Sequence, residues 1–132
     1  MSPRISPHVA IQVASFGDQI PVALNHQLMS WVVENLMKNA VDAMGGKGEL
    51  EIRLFCQDDR AIVEVTDTGV GIKKSRFKKI FRAGYSSKKR GWGLGLALVK
   101  RIVEEYHSGK IYVKNSIEGE GTTMRMEFHL KT

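Results

Sequence analysis

Cysteine occurs once in these 132 residues, at Cys56. A single thiol excludes an internal disulfide and fits a reducing compartment. Its setting, LFCQ, reads as a strand and gives it no reactive role. No apolar run approaches the roughly 20 residues of a membrane-spanning helix. The opening MSPRISPHVA has no apolar h-region, so no secretory signal is expected. Two familiar phosphate motifs are also missing. A P-loop needs GxxxxGK followed by Ser or Thr, but the Gly-Lys pairs at 46–47 and 109–110 are followed by Gly48 and Ile111. A dinucleotide fingerprint needs GxGxxG after a strand, whereas the glycines at 91–95 are spaced GxGxG and follow basic coil. No internal repeat or low-complexity tract is visible.

Acid is absent where base is most abundant. Residues 73–90 hold Lys73, Lys74, Arg76, Lys78, Lys79, Arg82, Lys88, Lys89 and Arg90 without one carboxylate. The rest of the chain carries eleven basic and fourteen acidic residues, so this segment alone gives the net charge of +6. Such a run is either a solvated face or a surface turned toward phosphate or an acidic partner. A length of 132 residues with 42% apolar and 26% charged content describes one ordinary globular domain with a two-layer core.

Periodicity orders the elements. HVAIQVASFGDQIPVAL predicts two short strands around a Gly17-Asp18 turn. Asn25 is a candidate N-cap, with Leu24 and Met29 placed for a hydrophobic staple. Leu28, Val32, Leu36 and Ala40 recur at i+4 and predict a helix of about 18 residues, stopped by GGKG. ELEIRLF alternates as a half-buried strand, DDR turns, and AIVEVTD returns as its partner. A long Gly-rich and charged segment follows, with one helical turn near Phe77 to Phe81; a connection of this length is usually functional. A second helix is expected from Leu94 to Tyr106, with rows Leu94, Leu98, Ile102 and Val99, Val103, Tyr106, and with Gly109 as its stop. KIYVKN and TTMRMEFHL close as a hairpin across EGEG. Paired strands broken by two long helices predict an α+β two-layer sandwich, with helices packed on one face of a mixed, mostly antiparallel sheet.

Three clusters carry candidate chemistry. GWGLGLALVK places Gly91, Gly93 and Gly95 between SSKKR and a helix, either as a flexible entry or as backbone amides gathered around an anion. Asp67 shares the strand face of Val63 and Val65 and is aimed at the core side, where a carboxylate needs donors. It either caps its own TGVG turn or accepts from a buried ligand donor, such as the exocyclic amine of adenine. Thr122 has the same inward parity as Met124, Met126 and Phe128. Asn35 and Asn39 lie one helical turn apart. They are either an exposed pair or a polar cavity wall suited to oxygen-rich ligand or hydrated Mg²⁺.

Taken together these stretches resemble the catalytic ATP-binding domain of sensor histidine kinases, within the group that shares the Bergerat-type fold of gyrase, Hsp90 and MutL. ENLMKNAVDA resembles the N box, DTGVGI the G1 box, FKKIF the F box and GWGLGLAL the G2 box. GEGTTMRMEF resembles the closing strands. The resemblance covers roughly residues 8–130, with the domain expected to span 8–132 and 1–7 to be a flexible N-terminal segment. It implies ATP and Mg²⁺ as cofactors, with Asn39 on Mg²⁺ and Asn35 in the phosphate and metal neighbourhood. Asp67 would accept the adenine amine, helped by Thr122 through water. Gly69 and Gly71 would let the backbone approach the base, and Ile72 would wall the pocket. Tyr85, Ser86, Ser87, Lys88 and Arg90 would form a lid, with Lys88 and Arg90 reaching phosphate. Gly91, Gly93 and Gly95 would hinge that lid and present amides, and Asp42, Leu94 and Leu96 also join the expected ATP contacts. Asn35 and Lys88 are the expected catalytic residues.

The resemblance also separates kinase from ATPase. Hydrolysing relatives place a glutamate one turn before the metal asparagine, where this chain has Asn35. Glu34 is adjacent, but one residue along a helix turns it about 100° away. The lid is also short. The expected activity is transfer of the ATP γ-phosphoryl to a histidine on a dimerisation domain outside this chain, with a response regulator as further partner. His8, His26, His107 and His129 have no phosphoacceptor setting. A non-catalytic ATP-sensing module or a serine kinase of the same fold are the alternatives. Nucleic acid is not expected as a partner, because no aromatic-basic alternation runs along a sheet face. No membrane contact by this domain is expected; its place is cytoplasmic, in a parent protein that can itself be membrane-anchored.

Overall fold

Asn25 starts the first helix as its residue type suggests. Its backbone is extended, and its side chain accepts the Leu28 N–H at 3.0 Å. In the computed structural model, which describes residues 9–15, 24–82 and 95–130, α1 then runs His26–Ala43. It buries Met29, Val32, Leu36 and Ala40 along one stripe. The stripe keeps Val32, Leu36 and Ala40 of the expected row and differs only in its first turn, where Met29 is buried and Leu28 half-buried. The stop falls at the expected GGKG: Met44 caps the helix, and Gly45 and Gly46 follow with φ of 65° and 80°.

Among the described residues five strands form one sheet in the order β1-β2-β3-β5-β4. β1 (Val9–Ser15) lies parallel to β2 (Gly48–Gln57), in register from Val9 opposite Gly48 to Ser15 opposite Leu54. β3 (Arg60–Asp67) and β5 (Gly121–His129) are antiparallel neighbours at the centre, and β4 (Lys110–Ile117) is the other edge. One parallel pair in an otherwise antiparallel sheet is the mixed topology expected, with α1 crossing between β1 and β2. The second strand and the Gly17-Asp18 turn expected before α1 lie outside the described residues, as does the segment 1–7.

The core fills the space between sheet and helices. Leu50, Ile52, Ala61, Val65, Met126 and Phe128 rise from the sheet to meet Val32, Leu36, Val99, Ile102 and Val103. Two short 3₁₀ turns, Lys74–Arg76 and Lys79–Phe81, replace the single turn expected near Phe77 to Phe81. The second plugs Ile80 and Phe81 into the same core. Its cations stay outside: Lys73, Lys74, Arg76, Lys78, Lys79 and Arg82 are all exposed.

The second helix departs from its expected rows. α2 (Gly95–Arg101) passes into a π turn over Ile102–Tyr106. Bonding at i→i+5 widens the turn and rotates the following residues. Val99, Ile102 and Val103 are buried, but Tyr106 is 70% exposed and Leu98 41% exposed, so both leave the rows assigned to them. The end is set by Ser108 at φ 54°, with the Gly109 N–H returning to the Val103 carbonyl at 2.9 Å. His107 ties this end to the start of α1. Its Nε2 accepts the Asn25 N–H at 3.0 Å, while Nδ1 pairs with the Ile102 carbonyl at 2.8 Å.

Only one face of β3 was expected to be buried, yet Ile62 and Glu64 on the other face are 1% and 2% exposed. Long charged side chains from neighbouring strands roof that face. Glu64 accepts from Lys114 Nζ at 2.9 Å and lies 3.5 Å from Arg53 and 3.4 Å from Arg125. Glu127 accepts from Arg60 at 2.6 Å and from the Tyr112 hydroxyl. Arg125 Nε lies 3.1 Å from Glu127 but forms no directed hydrogen bond, so that contact is ionic.

Candidate functional site

Asp67 ends β3 with 8% of its surface exposed, opposite Thr122 on β5 and Leu50 on β2. Its inward parity is as the strand pattern implies. Oδ1 accepts the Gly69 N–H at 2.8 Å, so the local turn cap is real. The cap does not exhaust the group, because an ionised carboxylate offers about four acceptor sites. Burial pushes the carboxyl up from the ordinary aspartate range, and the Gly69 and Thr122 backbone N–H groups pull it partly back. A carboxylate held in a desolvated place, with no cation beside it among the described residues, is costly to the fold and marks a functional-site candidate.

The loop after Asp67 is strapped on both sides. The Val70 N–H donates to the Ala43 carbonyl at 2.9 Å, and the Gly119 N–H donates to the Val70 carbonyl at 2.8 Å. A Cβ on Gly69 would sit 2.6 Å from the Ala43 carbonyl oxygen. One on Gly71, at φ 81°, would sit 2.5 Å from the Ile117 oxygen. The two glycines are therefore required by the protein's own backbone, between the end of α1 and the β4–β5 turn. Ile72 is half-buried against the core, and its N–H donates to Ser116 Oγ at 2.7 Å. Thr122, 6% exposed, shares its hydroxyl with the same Ser116 oxygen at 2.7 Å.

The other end of the site is built by α1. Asn35 is 5% exposed, so it is not one of an exposed pair. Its Nδ2 donates to the Trp31 carbonyl at 2.8 Å, which uses one of the two amide N–H groups within the helix and leaves Oδ1 turned toward the start of α2. A Cβ on Gly95 would meet that oxygen at 3.4 Å. Asn39 is half-buried and makes no side-chain hydrogen bond among the described residues. Asn35, Asn39 and Ala43 recur at i+4 on one helix face, spanning about 12 Å at the helical rise. That face starts beside Gly95 and ends where Ala43 holds the Gly69–Val70 backbone. Glu34, one residue off the face, is exposed.

The sequence-predicted residues thus fall into one line. Asp67, Gly69, Gly71, Ile72 and Thr122 gather at one end, with Asn35, Gly95 and half-buried Leu96 at the other and Asn39 between. Asp42 is exposed on the last turn of α1. Tyr85, Ser86, Ser87, Lys88, Arg90, Gly91, Gly93 and Leu94 lie outside the described residues. Ser116 was missed, because its inward direction depends on a strand irregularity that alternation does not reveal. Among the described residues no cluster of three His, Cys, Asp or Glu side chains could cage a metal. The donor set instead suits Mg²⁺, which takes one or two protein oxygens and otherwise keeps water and phosphate ligands. The arrangement can accept a donor-bearing planar group at Asp67 and offer the amide oxygens of Asn35 and Asn39 to a hydrated cation, which in turn meets oxyanions.

Residues 24–132 match the family model described as histidine kinase-, DNA gyrase B-, and HSP90-like ATPase. Sporulation kinase E of Bacillus subtilis is 31% identical over 124 residues, covering 93% of this chain and 16% of that kinase. The chain spans 21% of another relative, an NtrY-like sensor histidine kinase of Rickettsia conorii, at 33% identity over 96% of its own length. Among solved structures, the nucleotide-free catalytic domain of histidine kinase ThkA superposes with a TM-score of 0.81 at 27% identity, over 92% of this chain and 78% of that one.

Proposed function

This chain belongs to the family of histidine kinase-, DNA gyrase B- and HSP90-like ATPases, and we propose that it is the ATP-binding catalytic domain of a two-component sensor histidine kinase. The carrying observation is the buried, desolvated Asp67 carboxylate beside Thr122, set along one helix face from the inward Oδ1 of Asn35. A carboxylate accepts the adenine amine and rejects a carbonyl in its place. The amides of Asn35 and Asn39 offer hard oxygens at the phosphate end. Mg²⁺, when bound there, offsets charge on the triphosphate.

The transferring step is an in-line displacement. An imidazole nitrogen of the acceptor histidine bonds to the γ-phosphorus as the bond to the β-bridging oxygen breaks and ADP leaves. Lys88 and Arg90, as lid cations, are proposed to hold charge on the moving phosphoryl group. Asn35 stands where a water-activating glutamate would make an ATPase, and the exposed Glu34 does not take over that place. Water is left without a base, which favours transfer over hydrolysis. The histidine comes from a dimerisation domain outside this chain, and a response regulator receives the phosphoryl group next. No helix among the described residues is long and apolar enough to cross a membrane. With ATP as substrate, the domain is proposed to work on the cytoplasmic side.

The test supplies a histidine-bearing dimerisation domain in trans with labelled ATP. Label on the added domain that is lost in acid and retained in base is expected. Acid-stable label would mean a serine kinase, and binding without transfer would mean an ATP sensor; either result replaces the proposal.

A further inference from the structure

β4 carries an extra residue between Val113 and Asn115, where its register against β5 shifts by one. Up to that point Ile111 and Val113 face the core, opposite Met126 and Met124. Uninterrupted alternation would send Asn115 inward next. The bulge sends Asn115 to the outer face opposite Thr123 and turns Ser116 inward opposite Thr122. Bulges beside functional sites commonly re-aim a side chain in this way.

The re-aimed hydroxyl has three neighbours. Ser116 Oγ accepts the Ile72 N–H at 2.7 Å, donates to the Gly121 carbonyl at 3.1 Å and lies 2.7 Å from Thr122 Oγ1. A serine hydroxyl has one proton and two lone pairs. With the proton on the Gly121 carbonyl and one lone pair taken by Ile72, the remaining contact requires Thr122 to donate to Ser116. The Thr122 hydroxyl has no other side-chain hydrogen-bond partner among the described residues. On this assignment its proton is held on Ser116, and only its lone pairs remain for the site.

We propose that Ser116 is a specificity-determining positioning residue, which fixes the Thr122 hydroxyl as an acceptor and so selects purine nucleotides bearing an amino rather than an oxo group at the six position. The inference rests on the ATP-binding reading of the site. Thr122 and the Asp67 carboxylate, paired across β3 and β5, then offer acceptors side by side in direct contact with the ligand amine. An oxo group meets acceptors on both. Without Ser116 the Thr122 proton is free to rotate toward the ligand and serve an oxo group.

The test is calorimetric titration of this chain with ADP and with IDP, both with Mg²⁺, for wild type and for Ser116→Ala, Ser116→Cys and Ser116→Thr. Cysteine is nearly isosteric but a weak hydrogen-bonding partner, so it guards against a folding defect in the alanine variant. The ratio of IDP to ADP dissociation constants is expected to fall about fivefold in the alanine and cysteine variants, the worth of one ordinary hydrogen bond. Threonine, which keeps the hydroxyl, is expected to restore it. Loss of Ile72 anchoring alone weakens both nucleotides together and leaves the ratio unmoved. A constant ratio in folded Ala and Cys variants overturns the role of Ser116 while leaving ATP binding intact. Failure of wild type to bind ADP overturns the ATP reading itself, and the proposal with it.

Discussion

Replacing Asp67 by Asn changes few atoms and separates binding from stability. In the folded protein Oδ1 accepts the Gly69 N–H at 2.8 Å, and an asparagine Oδ1 can keep that bond. The second oxygen becomes an NH₂ group. Where the carboxylate accepts the adenine amine, the variant presents donor against donor. Each buried polar group left unpaired costs about 1–3 kcal/mol. One such group on each side puts the binding loss at about 2–6 kcal/mol, roughly 30- to 25,000-fold in affinity.

Stability should move the other way. Burial raises the Asp67 carboxyl above its unfolded value, so the folded state favours the protonated form. The stability this group provides is present below the unfolded value, near 3.9, and is lost as pH rises through the folded one. At neutral pH the charge is therefore a burden, which asparagine removes. Calorimetry with ADP and Mg²⁺ should show the affinity loss, while urea unfolding at pH 7 should show Asp67→Asn at least as stable as wild type. The stability difference should shrink on acidification toward pH 4. Parallel loss of affinity and stability would mean Asp67 is only a turn cap, and unchanged affinity would remove the adenine from its side.

Asn39→Ala should abolish the Mg²⁺ dependence of nucleotide binding with little effect on folding, since the amide makes no side-chain hydrogen bond among the described residues; titrations with and without the metal check this, and a dependence that persists places the metal elsewhere. Gly71→Ala adds a Cβ 2.5 Å from the Ile117 oxygen at φ 81°, so strain and overpacking should together cost about 2–4 kcal/mol in urea unfolding. A loss below about 0.5 kcal/mol would mean the 68–72 loop is not strapped as described. Glu127→Gln tests the outer face. The Tyr112 hydroxyl first, then Arg60 and Arg125, hold that carboxyl below the ordinary glutamate range despite its burial. Its stabilisation is present above the unfolded value and is lost as pH falls through the folded one. Wild type should exceed the variant at pH 7 and converge with it near pH 3, read from unfolding midpoints across pH.

The legible parts of the fold were those governed by one period. Alternation in ELEIRLF and AIVEVTD fixed which face of β2 and β3 meets the helices, and Asn25 with GGKG bounded α1 within a residue. The inward aim of Asp67 and Thr122 followed from the same parity. What escaped were breaks in period. The π turn at Ile102–Tyr106 rotated Tyr106 out of its row, and the β4 bulge brought Ser116 inward. Both insert a residue whose presence shows only when partner strands and helices are in place. The buried outer face of β3 escaped for a related reason. Glu64 reads as a solvent position until Lys114 and Arg125, fifty and more residues later, close over it.

The glycines show how one residue can satisfy two requirements. DTGVGI was read as backbone thinned for the approach of a base. The structure gives Gly69 and Gly71 a prior reason, since side chains there would strike the Ala43 carbonyl and the Ile117–Glu118 backbone. The two reasons are physically joined. A carboxylate can stay desolvated at the end of β3 only if the following loop is held against it, and the loop is held by close backbone contacts with α1 and the β4–β5 turn. The α1 contact is made by the helix face that carries Asn35 and Asn39. Loosening the glycine loop would therefore admit water to Asp67 and detach the asparagine face of α1 from the Asp67 end, so fold and site should fail together at Gly69 and Gly71 but separately at Asp67.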